Sequence, residues 1–107
     1  MDDVEKAIGA MKNIIGKYSD DMSSEMKSVC FVELGKWEKE HAESNANLDF
    51  EEYEKIIDHF REATKNDKDN ISAWHYFAML NYESANFLER FNKGRFDVQN
   101  PQNENEK

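Results

Sequence analysis

Cysteine, proline and glycine are scarce in this sequence, and basic residues are in deficit. A single cysteine, Cys30, excludes an internal disulfide framework and any zinc site built on several thiolates. It lies in an apolar helical stretch and reads as a small buried side chain. One proline, Pro101, and four glycines leave little to interrupt a helix. Strand-like alternation is also missing, so the chain up to about residue 93 reads as helical. The 14 Lys and Arg against 23 Asp and Glu give a formal charge of -9. That argues against a nucleic-acid binder, which needs clustered bases to neutralise phosphates, and disfavours an anionic membrane surface. No apolar run approaches the ~20 residues that span a bilayer, and no signal peptide is evident. A cytoplasmic or nuclear location is the default expectation. Asn70-Ile71-Ser72 matches a glycosylation sequon but reads as a helix opening. At 107 residues the chain has room for one small domain.

What is present is helical periodicity. Val4, Ala7, Ile8, Met11, Ile14 and Ile15 form an apolar face on a first helix, about Asp3 to Tyr18, with Asp2 and Asp3 at its start. Met26, Val29, Cys30, Val32 or Glu33, Leu34 and Trp37 do so on a second, about Ser24 to Ala42. Tyr53, Ile56, Ile57, Phe60, Ala63 and Thr64 mark a third, about Phe50 to Lys65, capped by Asp49. Ile71, Trp74, Phe77, Ala78, Ala85 and Leu88 mark a fourth, about Ile71 to Phe91. Tyr76, Leu80, Tyr82, Phe87 and Phe91 spread over its other sides, so contacts on more than one side are expected. Residues 1–93 then form the helical segment, and residues 94–107 are expected to be a polar, disordered tail.

Two signatures share one pattern: a large aromatic, a large apolar residue three positions on, then a small one. They are Phe31/Leu34/Gly35 and Trp74/Phe77/Ala78. The small residue lets a partner helix come close. Gly35 in mid-helix costs about 1 kcal/mol relative to Ala, which a close crossing would explain. Short turns make successive helices antiparallel neighbours. The second and third helices read as one hairpin, the first as the end of a preceding hairpin, and the fourth as the start of a following one. The fold class is therefore all-α, a slice of a helical-hairpin solenoid of tetratricopeptide-like type.

Chemistry is harder to find. No glycine-rich loop, phosphate-binding Lys or metal-binding Asp set is recognisable, so no catalytic residues are assigned. Glu38-x-x-His41 has the spacing of di-iron bundles, which need the motif twice. Ile56 and Ser72 stand where a second Glu would precede His59 and His75. No metal or other cofactor is expected, and Glu38 and His41 read as a solvated helix end. His75 reads as partly buried, with its ring nitrogens bonded locally. The aromatic stripe of the fourth helix reads as core and inter-repeat surface. The acids in turns and at helix starts read mostly as caps.

The residues also resemble a family. Cys30-Phe31-Val32-Glu33-Leu34-Gly35-Lys36-Trp37 looks like the C-F-x-x-L-G-x-W repeat opening of the FAT domain in TOR kinases, members of the phosphatidylinositol-kinase-related group. Phe60-Arg61-Glu62-Ala63-Thr64-Lys65-Asn66-Asp67 is similar to the helix end that follows. Trp74-His75-Tyr76-Phe77-Ala78-Met79-Leu80-Asn81-Tyr82-Glu83 resembles the helix that closes the FAT region. Where the family has a second Trp, this sequence has Tyr76 or Phe77. The rapamycin-binding helices and the kinase domain do not follow, so no kinase activity is carried over.

The resemblance implies a non-catalytic scaffold that braces a Ser/Thr kinase. Its partners would be neighbouring FAT repeats, the kinase domain and complex subunits, and its place the cytoplasm, the nucleus or the face of an endomembrane. Phe31, Leu34, Gly35, Trp37, Phe60, Ala63, Trp74, Phe77 and Ala78 would pack it. The alternatives are a stand-alone tetratricopeptide-like adaptor, binding through the outer face of the fourth helix with Phe87, and a metal-binding bundle. His75 is a candidate contact in the adaptor.

Overall fold

Helix starts follow side chains that satisfy otherwise unpaired backbone N–H groups. The computed structural model describes residues 3–46 and 48–99. α1 spans Asp3–Tyr18 and passes into a short 3-10 turn, Ser19–Asp21. The expected cap residue Asp2 lies outside the described residues. α2, Ser24–Ser44, opens on Ser23, whose hydroxyl accepts the Met26 N–H at 3.1 Å. α3, Phe50–Asn66, opens on Asp49, whose carboxylate accepts the Glu52 N–H at 2.9 Å. α4, Ile71–Gln99, opens on Asn70, whose side-chain oxygen accepts the Ala73 N–H at 3.1 Å. Between α2 and α3 the chain turns through Ala46 at φ 56°, a left-handed conformation that favours glycine.

α4 runs past its expected end. Gly94–Gln99, expected to begin a disordered tail, is helical, and residues 100–107 lie outside the described residues. One glycine costs only about 1 kcal/mol and does not stop a helix. Pro101 is the stronger signal, because proline disfavours α backbone at the residue before it.

α3 is the spine of the core. Tyr53, Ile56, Ile57, Phe60, Ala63 and Thr64 are all buried, as its periodicity requires. α2 packs against one side of it and α4 against another, while α1 packs on α2. From α2 come Val32, Leu34, Gly35 and Ala42, and from α4 come Ala73 and Leu80. Phe60 and Ile56 have no exposed surface. Each such side chain contributes about 1.5–3 kcal/mol through burial.

Two faces differ from expectation. Met26 and Val29 on α2 are about half exposed, as is Ile14 on α1. Val32 and Leu34 are buried as expected, but the other buried positions of α2 include Ser28, Gly35 and Glu38, so hydropathy marks only part of the face. On α4 the expected core stripe is also turned outward. Ile71, Trp74, Ala78, Ala85 and Leu88 are exposed and only Phe77 of that stripe packs against the core, while Ala73, Leu80 and Ser84 are buried and Tyr76 and Phe87 half-buried. Both stripes of α4 are apolar, and periodicity alone does not choose between them.

A hydrogen-bond relay holds α4 in this orientation. The fully buried Ser28 hydroxyl donates to the Ala63 carbonyl at 2.7 Å and accepts from the Asn70 amide at 2.9 Å. One side chain of α2 thus ties the end of α3 to the cap of α4. Ser28→Ala leaves the Asn70 donor without this acceptor, and the expected loss is about 1–3 kcal/mol. Thermal unfolding checks it. An unchanged midpoint would show that the relay contributes nothing to stability.

Candidate interaction surface

Gly35 sits at the tightest crossing. A Cβ there would lie 2.6 Å from Phe60 Cζ and 2.9 Å from both Cε atoms. The far face of the Phe60 ring stacks on Tyr76, with centroids 5.1 Å apart and planes at 11°. Lys36 Nζ lies 5.7 Å from the Tyr76 ring centroid. The result is a layer running from α2 through α3 to α4, made possible by one missing side chain. Leu34 and Ala63 are also buried, and Trp37 is half-buried. Phe31, also half-buried, stacks on His59 at 6.5 Å, and Phe87 leans on Tyr53 at 5.5 Å.

Glu38 is not on a solvated helix end. Its carboxylate is buried, accepts from His59 Nε2 at 3.0 Å and meets Lys12 Nζ at 2.9 Å. Three helices meet at this one carboxylate. Burial alone would raise its pKa. The hydrogen bonds and charges of His59 and Lys12 outweigh that and bring it down to about 2. His41 points elsewhere, toward Glu5 at 3.4 Å and Asn45. Glu38 and His41 therefore engage different side chains. They border a cleft of about 290 Å³ together with Glu5, Lys12 and Glu52. Among the described residues, no three His, Cys, Asp or Glu side chains are grouped to hold a metal ion.

A second feature is the outer side of α3 and α4. Trp74 is 47% exposed, with its indole N–H donating to the Lys68 carbonyl at 2.8 Å and its ring edge-on to Phe77. Phe77 is half-buried beneath Arg61, whose guanidinium lies 5.7 Å from the ring centroid and pairs with Asp58. Beside them a groove of about 340 Å³ runs between Phe50, Glu54 and Asp58 of α3 and Asn81 and Ser84 of α4. His75 was expected to be partly buried. It is exposed on the flank of α4, edge-on to Tyr76 at 5.6 Å.

Of the expected packing residues, the structure brings Gly35, Phe60 and Ala63 into the core with Leu34. It places Trp74 and Ala78 on the surface. The adaptor reading put Phe87 on the binding face. Its ring instead closes the core against Tyr53, and Trp74 is the outward residue. Trp74→Ala is therefore expected to cost less than about 1 kcal/mol, and Phe87→Ala about 2–3 kcal/mol. Equal losses in urea unfolding would contradict this division.

The arrangement is suited to helix-on-helix contact. No helix among the described residues is long and apolar enough to cross a membrane. The family model of the FAT domain matches residues 9–101. No curated protein and no solved structure matches the chain significantly.

Proposed function

The chain belongs to the FAT domain family, and from that membership we propose that it is a non-catalytic scaffold segment from the end of the FAT region of a TOR-like serine/threonine kinase. Its work is mechanical: to stack on neighbouring repeats, brace the kinase domain and present surface to complex subunits, in the cytoplasm or on an endomembrane face. The observation that carries this reading is the double-faced α4. One stripe of it is spent on α3 within the chain, and a second stripe beside it, Ile71, Trp74, Ala78, Ala85 and Leu88, is largely apolar and exposed. A helix apolar over this much of its circumference belongs between two packed neighbours.

The reading is tested by the mass of the native polypeptide in a cell extract, using an antibody against residues 24–90. A band of several hundred kilodaltons is expected. A band near 12.6 kDa would overturn the kinase-segment reading and leave a stand-alone helical adaptor.

A further inference from the structure

We propose that the bare face of α4, with the groove beside α3, takes one kind of occupant: a basic amphipathic helix with large aliphatic residues at its middle and small ones at its ends. This deepens the scaffold reading and rests on it. The exposed stripe has the seven-residue repeat of a helix seam. Ile71, Ala78 and Ala85 recur at seven-residue intervals, and Trp74, Asn81 and Leu88 recur at seven-residue intervals three positions on, so the seam is apolar except for Asn81 at its middle. The stripe is not uniform along its length. Bulky Ile71 and Trp74 stand at one end and Leu88 at the other, with Ala78, Asn81 and Ala85 between them, the two alanines forming notches. A partner helix must therefore place its bulk over the alanines.

A second copy of this chain does not meet that requirement. In an antiparallel pair centred near Asn81, Ala78 faces Ala85 and Trp74 faces Leu88, so bulk meets bulk at the ends while only alanines and the polar Asn81 meet at the middle. The formal charge of -9 adds repulsion between copies. Charge also sets the sign of the partner. Glu51 and Glu54 line the outward side of α3, exposed and without an ion-pair partner among the described residues, and Asp58 follows one turn on. Arg61, paired with Asp58, leaves the rim acidic. Lys or Arg on the α3-facing flank of the partner would complement it.

The probes are two synthetic helices of about three heptads with identical apolar seams, Leu at the middle and Ala at the ends, one flanked by Lys and the other by Glu. Each is titrated calorimetrically into the 107-residue chain. The Lys-flanked helix is expected to bind at least about tenfold more tightly. Glu54→Lys should reverse or erase that preference. Ala78→Leu, an exposed change that fills the notch, should abolish binding without altering the helical circular dichroism. Equal binding of the two helices, binding of neither, or binding unaffected by Ala78→Leu would overturn the proposal. Self-association of the chain that Ala78→Leu disrupts would also overturn it, in favour of a second copy. A small native mass with Lys-selective binding intact would sink the kinase-segment reading while this one stands.

Discussion

Gly35→Leu is expected to disrupt the α2–α3 crossing and lower stability by about 1–3 kcal/mol or more. The cause is space. The first carbon of any side chain would already fall 2.6 Å from the Phe60 ring. That ring has no exposed surface and is backed by Tyr76, so it has nowhere to retreat. Even Gly35→Ala is expected to destabilise, although alanine gains about 1 kcal/mol of helix propensity over glycine. The clash outweighs that gain because a planar ring held on both faces cannot move by fractions of an ångström. The double variant Gly35→Ala, Phe60→Leu should lose less than the sum of its parts, since leucine vacates the plane under residue 35. Denaturant unfolding of the four proteins in this cycle reads the coupling. Strict additivity, or a Gly35→Ala protein more stable than the parent, would show that the crossing is not close.

Acid is expected to weaken the fold through Glu38. Its ordinary value of 4.5 is lowered to about 2 in the folded chain. A carboxyl with a depressed folded pKa adds stability above its unfolded value, and that stability is lost as pH falls through the folded one. The window runs from about 4.5 down to about 2, and the contribution at neutral pH is of the order of 3 kcal/mol. Other acids titrate in the same range, so the informative quantity is a difference. Glu38→Gln should be less stable than the parent at neutral pH, and the gap should close as the parent is acidified through the window. Parallel stability curves for the two proteins would contradict the role given to the Lys12–Glu38–His59 junction.

These two sites differ in how far the sequence discloses them. Gly35 is visible because an unexplained glycine inside a helix needs a reason, and close approach is the natural one. α3 is equally legible, since every buried position on it but Thr64 is apolar. α2 is not, because Ser28 and Glu38 occupy core positions and Met26 and Val29 do not. A signal for Glu38 was present: Gly35, Glu38 and Ala42 fall on one side of the helix, so the carboxylate shares the notch's face. Its partner His59 lies 21 residues away, beyond any local pattern. α4 resists the same reasoning for a different cause. It has two apolar stripes, and the contacts that distinguish them are distant in sequence, such as the Ser28–Asn70 bond, which joins residues 42 apart in the chain.

The central claim, that α4 lies between two layers with its second face covered by another helix, is tested most directly by oxidative footprinting of Trp74. The comparison is between the isolated 107-residue chain and the native polypeptide that carries it, with the half-buried Trp37 as internal reference. The account predicts rapid oxidation of Trp74 in the isolated chain and strong protection in the native polypeptide. Equal reactivity of Trp74 in both would mean that the outer face of α4 is bare in its own setting, and the scaffold account would fail.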